Sequence, residues 1–319
     1  MRAFVVREPG PAERLEATEL ARPAAGPGRV VVRVGAVGVN PVDATNRADP
    51  SWAGIEPPYV VGYEFAGSVE EAGPGVIGLE RGDAVWGLCP VRGTRFGAYA
   101  EYVEVAAEWV GPRPVALDVV DAAALPLTGS TALQLLDRLA LRRGETMLVH
   151  GASGGVGRML VQLARSRGIR VAASSSPARH AFLRELGAEI VLDRARADVV
   201  AVALRDTGGP LDAVADCVGG GLVAASLVGI RDGGSAASIV ELSGDFEDAV
   251  DRNISLHGVL VRPDRRTLDR LREAVDGGAL RPIVDSVVED GELVDVHRRL
   301  DSGAGVGKVV LRIRDGGRR

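Results

Sequence analysis

A glycine-rich loop, HGASGGVG at residues 150–157, joins an apolar run to a segment with helical periodicity. The preceding residues, TMLVH, predict a buried strand, and the apolar residues that recur after the loop predict one face of a helix over 155–167. A strand that turns through glycines into a helix is the first part of a parallel α/β sheet. One or two glycines would suffice for a purely structural turn, so four glycines predict a further role for this backbone.

The strand and helix pattern continues along the chain to about residue 261. Such repeated βα units predict a doubly wound parallel sheet. The predicted strands are 146–150, 170–175, 189–193, 211–219, 235–242 and 255–261. A helix is predicted over 121–141, before the first of these strands.

The two ends of the chain have a different character. Residues 1–115 contain alternating apolar residues and many glycines, which predict a compact β domain. Its strands are predicted at 30–40, 59–73, 82–88 and 97–105. After residue 264 the sequence predicts an amphipathic helix over 265–278, then a polar stretch, then a strand over 307–313.

Composition restricts the partners and the compartment. The chain has 319 residues, enough for two domains, with 46% hydrophobic residues and a net charge of −5. An acidic chain disfavours nucleic acid and anionic membranes as partners. No apolar run is long enough to span a membrane, and the N-terminus lacks the apolar core of a signal peptide, so we expect a cytoplasmic protein. Cys89 and Cys217 are too few for a zinc knuckle or a disulfide framework.

The glycines of the loop, Gly151, Gly154 and Gly157, follow the spacing G-x-x-G-x-x-G. Glycine lets the backbone approach a pyrophosphate, and the N-terminus of the next helix offers N–H groups to the phosphates. The loop lacks the G-K-[ST] ending of a nucleoside-triphosphate site. It therefore predicts a dinucleotide site, with a structural turn as the alternative.

The end of the second predicted strand bears on which dinucleotide is bound. NAD sites usually carry Asp or Glu there, on the ribose 2′-hydroxyl. No acidic residue occurs between Ile169 and Arg184, and Ser174, Ser175 and Arg179 are found instead. Hydroxyls and a guanidinium can donate hydrogen bonds to a 2′-phosphate, whereas a carboxylate would repel it. The sequence therefore favours NADPH, unless Arg179 is only a solvated residue of the next helix.

The order of short motifs along the chain is similar to that of the medium-chain dehydrogenase/reductase superfamily, and within it to the zinc-independent quinone oxidoreductase and enoyl reductase branch. The motifs are GVNPVD, VVGYEFAG, GDAVWGL, GAYAEYVEV, ALPLTGSTAL, VHGASGGVG, RELGAEIV, DCVGG and GKVVL. The resemblance extends from about Met1 to Ile313. It implies an α/β fold with a GroES-like β domain and a doubly wound Rossmann domain that has a parallel sheet.

The resemblance also implies domain limits. A GroES-like catalytic domain is expected over 1–118, a Rossmann NADP-binding domain over 119–264 and a C-terminal return to the catalytic domain over 265–319. It further implies a homodimer joined through the last Rossmann strand, which we expect within 255–261.

Zinc-containing alcohol dehydrogenases of this superfamily carry Cys, His and Cys at the positions that match Asn40, Tyr63 and Ala124. None of the three residues in this chain is a usual zinc ligand, so the resemblance implies no zinc. Without a Lewis acid, the expected hydride acceptor is already electron-poor, such as a quinone or an enone. Such a reaction requires donors near the acceptor oxygen and a source of protons, which water can supply.

Asn40 and Tyr63 are the candidate catalytic residues. The resemblance places both at positions where the zinc-containing alcohol dehydrogenases have a zinc ligand. The amide of Asn40 and the hydroxyl of Tyr63 can each donate to an acceptor oxygen. The alternatives are a turn-forming Asn40 before Pro41 and a buried packing tyrosine. Asp43 is expected to cap a local turn.

The candidate cofactor-binding residues lie in the glycine loop, in the segment that approaches the nicotinamide in this family, and near the ends of later strands. They are Thr128, Ser153, Gly154, Gly155, Val156, Gly157, Ser174, Arg179, Arg194, Cys217, Val240 and Leu260. Relatives often have Asn-Tyr where this chain has Asp193-Arg194. Arg194 supports binding of a 2′-phosphate, and Asp193 opposes it.

Lys308 is the only lysine among 38 Lys and Arg residues. Codon usage in a GC-rich genome, which favours arginine over lysine, is one explanation. The alternative is that arginine cannot replace lysine at position 308. His150 ends the first predicted Rossmann strand and is expected to be structural, and His180, His257 and His297 have no expected role.

These observations predict an NADPH-dependent reductase of quinones or activated C=C bonds, acting on a small molecule. The stretch ATNRADPSW, after NPVD, lacks a tyrosine that frames the substrate in relatives. The alternative is therefore a catalytically inactive NADPH-binding protein that serves as a redox sensor or structural partner.

Overall fold

The computed structural model describes residues 1–303 and 307–314, which form two compact units. The first unit comprises Met1–Ser130 and Val261–Arg319, and the second comprises Thr131–Leu260. The chain therefore passes between units at 130/131 and 260/261, whereas the sequence placed the limits at 118/119 and 264/265. Residues 304–306 and 315–319 of the predicted C-terminal segment lie outside the described residues.

The strands of the described residues are numbered along the chain. They are β1 (Arg2–Val6), β2 (Leu15–Glu19), β3 (Arg29–Val39), β4 (Glu64–Ala72), β5 (Ala84–Leu88), β6 (Tyr102–Ala106), β7 (Val110–Pro112), β8 (Thr146–His150), β9 (Arg170–Ser175), β10 (Ile190–Asp193), β11 (Leu211–Asp216), β12 (Ile230–Ser238), β13 (Ser255–Gly258), β14 (Ser286–Val288) and β15 (Val309–Arg312).

The helices are α1 (Pro41–Ala48), α2 (Val119–Ala123), α3 (Pro126–Leu139), α4 (Gly155–Ser166), α5 (His180–Leu186), α6 (Val199–Thr207), α7 (Leu222–Ser226), α8 (Glu247–Asp251), α9 (Arg265–Asp276) and α10 (Leu293–Asp301). None of them is long and apolar enough to cross a bilayer.

The first unit is organised around β3, an eleven-residue strand in which most side chains are buried. β3 belongs to a seven-stranded sheet, in which six strands follow the order β14-β15-β3-β4-β5-β7 and the seventh, β6, also pairs with β3. Its partners β4, β6 and β15 are all antiparallel to it. β1 and β2 form a separate antiparallel pair. The register of β15 on β3 pairs Val309 with Val39, so the residue before β15 comes close to the residue after β3.

The second unit contains a six-stranded parallel sheet of order β10-β9-β8-β11-β12-β13. This order is the Rossmann arrangement, in which the strand sequence reverses direction beside the first strand. Both faces of such a sheet are covered, so its strands are nearly continuous apolar runs. The buried residues Leu148, Ala172, Val214 and Ala236 form its centre. The predicted α/β fold, with a β domain and a doubly wound parallel sheet, is confirmed.

Several predicted elements differ in detail. The helix predicted over 121–141 is two helices, α2 and α3, because Pro126 cannot continue the first and instead starts the second. The polar stretch predicted after 278 contains α10, whose Leu293, Val296 and His297 are buried. A helix begins where Asn40 was considered as a turn residue before Pro41, and Asn40 is the N-cap of this helix, α1.

Candidate functional site

The glycine loop follows β8 and leads into α4, as predicted. Gly151 has a φ of +71°, a left-handed conformation that suits glycine. A Cβ on Gly157 would lie 2.4 Å from the carbonyl oxygen of Gly151, so only glycine lets α4 pack this closely on the loop. α4 begins at Gly155, and the first amides of a helix have no acceptor within it. This end of α4 therefore favours an anion.

A pocket of about 450 Å³ lies within the second unit, lined by residues at and just after the carboxyl ends of β8, β9, β10 and β11 and by residues of α6 and α7. We call it the second-unit pocket. Its apolar wall includes Val199, Val200, Val218, Leu222 and Val228. Its polar lining includes His150, Ser153, Ser174, Ser175, Arg194, Arg196 and Asp198. In open α/β sheets, ligands bind outside the carboxyl ends of the strands at the point where the strand order reverses, which here is between β8 and β11.

His150, expected to be structural, lines this pocket and has a partner on each ring nitrogen. Its Nδ1 lies 3.3 Å from Ser174 Oγ and its Nε2 lies 2.9 Å from Ser226 Oγ. Burial lowers the pKa of His150, and the opposing effect of Asp216 is smaller. The imidazole is therefore neutral at physiological pH and joins β8, β9 and α7 by hydrogen bonds.

The two predicted serines are buried at the end of β9. Ser174 is close to His150, and Ser175 Oγ donates to the carbonyl oxygen of Ser176 at 3.1 Å. Both hydroxyls thus have partners inside the protein, which the sequence pattern does not reveal.

The predicted arginines are placed differently. Arg194 is exposed and lines the second-unit pocket, whereas Arg179 is exposed but is not among the lining residues. Arg196, which the sequence reasoning did not select, also lines the pocket and forms a two-bond ion pair with Asp198 at 2.8 Å. Because Arg196 is already neutralised, Arg194 is the side chain best able to bind an added anion.

The other predicted cofactor residues of the second unit lie at several strand ends. Cys217 follows β11 and is half-buried, and burial raises the pKa of its thiol well above the usual value. Val240 and Leu260 are exposed, with 57% and 46% of their surface accessible. These three residues are not part of the pocket lining.

Asp216 is a residue that the sequence reasoning missed. Its buried carboxylate accepts hydrogen bonds from the amides of Val218 and Gly219 and from Ser238 Oγ at 2.9 Å. It thereby fixes the turn after β11 that carries Val218 into the pocket. The available sequence signal was its position at the end of an apolar strand, shortly before the three glycines at 219–221.

In the first unit, Asn40 belongs to a buried group that we call the Lys308 cluster, formed by Lys308, Glu64 and Asn40. Lys308 Nζ donates to Asn40 Oδ1 at 2.8 Å and also to Glu64 Oε1. Asn40 Nδ2 donates to Glu64 Oε1 at 2.8 Å and to the carbonyl oxygen of Gly38 at 3.1 Å. Both amide hydrogens of Asn40 are therefore engaged within the protein.

Glu64 connects this cluster to the start of α3. Its second carboxylate oxygen accepts from the amide of Leu127 at 2.7 Å, in the first turn of that helix. Gly38 makes room for the carboxylate, because a Cβ there would lie 2.3 Å from Glu64 Oε1 and 2.5 Å from the carbonyl oxygen of Ala123. The cluster thus joins β3, β4, α3 and the start of β15 through one buried ion pair.

Thr128 follows Leu127 in α3 and is buried. Its hydroxyl donates to the carbonyl oxygen of Ala124 at 3.0 Å, two residues before the start of α3.

Asp43 caps the start of α1, as predicted, by accepting from the amide of Asn40 at 2.7 Å. The same carboxylate oxygen accepts from the hydroxyl of Tyr99 at 3.1 Å, and that hydroxyl lies 3.2 Å from Nε2 of His297. Burial raises the pKa of Asp43 to about 7, against the lowering effect of its hydrogen bonds. Burial, reinforced by Arg47, lowers the pKa of His297 to about 3.

Tyr63 is fully buried, and its hydroxyl accepts from Nδ2 of Asn46 at 2.7 Å. Burial raises the pKa of this hydroxyl far above its ordinary value. Of the residues predicted for catalysis, Asn40 is bound into the Lys308 cluster and Tyr63 is bound to α1 by a separate contact.

Among residues 1–303 and 307–314, no group of three or more His, Cys, Asp or Glu side chains is arranged to hold a metal ion.

Two family profiles match the chain. Residues 26–115 match the description "Alcohol dehydrogenase GroES-like domain", and residues 186–311 match "Zinc-binding dehydrogenase". The first match lies in the first unit, and the second covers parts of both units.

Characterised relatives cover most of the chain. It is 32% identical to the 2-methylene-furan-3-one reductase of Solanum lycopersicum, over 89% of this chain and 71% of the relative. It is 31% identical to the 2-haloacrylate reductase of a Burkholderia species, over 97% of this chain and 98% of the relative.

Solved structures are similar to this chain over nearly its full length. An NAD-dependent alcohol dehydrogenase is 31% identical, with a TM-score of 0.89, over 98% of this chain and 100% of the other. The quinone oxidoreductase of Coxiella burnetii is 28% identical, with a TM-score of 0.88, over 98% of this chain and 99% of the other. The mycobacterial Rv1454c, in complex with NADPH, is 28% identical, with a TM-score of 0.86, over 98% of this chain and 100% of the other.

Proposed function

Since the chain belongs to the medium-chain dehydrogenase/reductase superfamily, we propose that it is an NADPH-dependent oxidoreductase that transfers a hydride, without a metal, to a quinone or an activated C=C bond. The relatives include reductases of both kinds of acceptor, which supports this class of reaction. One solved relative is NAD-dependent and another binds NADPH, so the choice of dinucleotide rests on the residues of this chain.

The observation that carries the proposal is the second-unit pocket with Arg194 on its lining. A dinucleotide requires an apolar surface for adenine, a site for its pyrophosphate and, for NADPH, a cation for the 2′-phosphate. The valines and leucine of the apolar wall, the glycine loop with the start of α4, and the exposed Arg194 meet these three requirements. The residues of this pocket, together with the start of α4 that follows Gly151 and Ser153 of its lining, therefore fit NADPH.

The remaining predicted contacts stay part of the proposal. We place the pyrophosphate against Ser153, Gly154, Gly155, Val156 and Gly157. Thr128, Arg179, Cys217, Val240 and Leu260 remain predicted contacts for other parts of the cofactor.

When bound, the reduced nicotinamide supplies the hydride. The residues of this chain must then stabilise negative charge on the acceptor oxygen, and a proton comes from water. We propose that Asn40 and Tyr63 lie near this oxygen, as the resemblance implies. Direct donation from Asn40 requires it to exchange one of its bonds to Gly38 or Glu64, and donation from Tyr63 requires it to leave its buried site.

A steady-state assay of NADPH consumption with a panel of quinones and enones tests the proposed reaction. We expect turnover with at least one acceptor. NADPH binding with no turnover of any acceptor would instead favour the inactive sensor or structural partner. A metal assay that finds stoichiometric zinc would overturn the metal-free part of the proposal.

We also propose a cytoplasmic homodimer joined through β13. This strand ends the six-stranded sheet, and an unpaired edge can pair with a second copy. Light scattering of the purified protein measures this state, and a monomer at all concentrations would contradict it.

A further inference from the structure

The hydrogen bonds around His150 determine which of its ring nitrogens carries the proton. Ser226 Oγ donates its hydrogen to the carbonyl oxygen of Leu222 at 2.7 Å. It therefore accepts from His150, so the hydrogen of the neutral ring is on Nε2. Nδ1 then has only a lone pair, and it accepts the hydroxyl hydrogen of Ser174.

This arrangement is held in place by the sheet. His150 and Ser174 are directly paired residues of the parallel strands β8 and β9. Both are nearly fully buried, with 2% and 3% of their surface exposed, yet both line the second-unit pocket. The hydroxyl of Ser174 consequently turns its hydrogen toward His150 and has only its lone pairs left for a ligand.

We propose that His150 is a specificity-determining positioning residue, which makes Ser174 a hydrogen-bond acceptor in the second-unit pocket. This inference rests on the proposed function, in which the pocket receives the adenosine half of the cofactor. Ser174 lies at the end of the second Rossmann strand, from which such folds contact the adenosine ribose.

An acceptor at this position favours one chemical group. A ribose 2′-hydroxyl has a hydrogen to donate to Ser174, whereas a 2′-phosphate has only acceptor oxygens. Ser174 therefore contributes to NADH binding and not to NADPH binding, and Arg194 supplies the contact for the phosphate. Ser174 thus favours NADH, and Arg194 favours NADPH. His150 sets the preference of Ser174, because it accepts the hydroxyl hydrogen of that serine.

Direct detection of the tautomer is the first test. Nitrogen NMR of the full-length protein labelled at histidine, with His150 assigned by its absence in His150→Gln, should show a hydrogen on Nε2 and none on Nδ1. In Ser226→Ala the acceptor for Nε2 is removed, so the hydrogen should move to Nδ1, where Ser174 Oγ can accept it. A wild-type ring protonated on Nδ1 would overturn the proposal.

Binding of NADH and NADPH is the second test, measured by calorimetry. Ser174→Ala should weaken NADH about three- to tenfold, as expected for one lost hydrogen bond, and change NADPH by less than about twofold. Ser226→Ala should shift the ratio of affinities toward NADPH by a few-fold, because it frees the hydroxyl hydrogen of Ser174.

Ser235→Ala is the matched control. Ser235 is a buried serine of β12 whose hydroxyl donates to the carbonyl oxygen of Leu139, and it does not line the pocket. We expect this variant to leave the ratio of affinities unchanged.

Different results would overturn the role of His150 and the proposed function. Equal effects of Ser174→Ala on both dinucleotides, or no effect on NADH, would overturn the role of His150 while leaving the cofactor site intact. Failure of the wild type to bind either dinucleotide would overturn the proposed function and, with it, this role, even if the Nε2 tautomer is found.

Discussion

The Lys308 cluster of the first unit and the pocket of the second unit use polar side chains in opposite ways. In the cluster, Lys308, Glu64 and Asn40 satisfy one another and are nearly fully buried. In the pocket, the guanidinium of Arg194 is exposed beside a volume of about 450 Å³. Changes in the cluster should therefore lower the free energy of unfolding, whereas changes in the pocket should alter the affinity for a ligand.

The largest effect is expected from Lys308→Met. This change leaves Glu64 as an uncompensated buried charge, so it should destabilise the protein by about 3–5 kcal/mol. Chemical denaturation measures the loss. Arg298→Met, which breaks an exposed ion pair with Glu13, is the control and should leave the denaturation midpoint nearly unchanged.

Lys308→Arg sharpens the same test. A guanidinium is wider than an ammonium, and the site of Lys308 is 5% exposed and surrounded by fixed partners. We expect clear destabilisation, smaller than that of Lys308→Met. Wild-type stability of Lys308→Arg would mean that codon usage alone explains the single lysine.

Gly38→Ala should have the next largest effect, about 2–3 kcal/mol of destabilisation. The added Cβ would meet both the Glu64 carboxylate and the carbonyl oxygen of Ala123, and the latter is backbone and cannot rotate away. Thermal or chemical denaturation again provides the measurement. A Cβ added to Gly209 would meet no other atom within 4 Å, so Gly209→Ala should be nearly neutral, and equal losses in the two variants would contradict the tight fit at Gly38.

Much of this organisation is readable from sequence where it is local. The glycine loop, β8 and α4 are consecutive, so their apolar periodicity and glycine spacing predict both the elements and a phosphate site. The Lys308 cluster is different, because Lys308 and Asn40 are 268 positions apart and meet only through the register of β15 on β3. No local pattern contains that pairing.

Hydrogen-bond direction is also hidden from the sequence. Ser174, a predicted cofactor contact, is the penultimate residue of β9 and lines the pocket. That its hydroxyl is directed at His150 follows from strand pairing and from the partner of Ser226. α10 was missed because four of its nine residues are charged, and only three buried side chains mark its inner face.

Arg194→Ala tests the contribution of the second-unit pocket to cofactor affinity. Loss of a charge-assisted contact to the 2′-phosphate should weaken NADPH by about tenfold or more and leave NADH within about twofold. Calorimetric titration of both dinucleotides measures this. Arg205→Ala removes an exposed cation of α6 outside the pocket and should change neither affinity. Equal weakening of NADH and NADPH by Arg194→Ala would mean that Arg194 does not contact the phosphate.

The smallest effect in the wild type is a pH dependence within the first unit, because two contributions nearly cancel. Because the pKa of Asp43 is raised to about 7, the folded state retains a proton that the unfolded state releases near pH 4, so stability falls as pH rises from about 4 to 7. Because the pKa of His297 is lowered to about 3, the unfolded state alone binds that proton below pH 6.5, so stability rises from about pH 3 to 6.5.

The two slopes oppose each other, so the wild type should be nearly flat in their shared window. Asp43→Asn should reveal a rising stability and His297→Gln a falling one, each at most about 1.4 kcal/mol per pH unit. Denaturation midpoints from pH 4 to 7 measure the slopes. The same slope in both variants would contradict the assigned protonation states.

Amide hydrogen exchange with and without NADPH tests whether the second-unit pocket is the cofactor site. NADPH should slow exchange in the glycine loop, 150–157, and in the segment 194–201 that carries Arg194, and NADH should protect these segments less. Unchanged exchange in both segments at saturating NADPH would contradict this assignment.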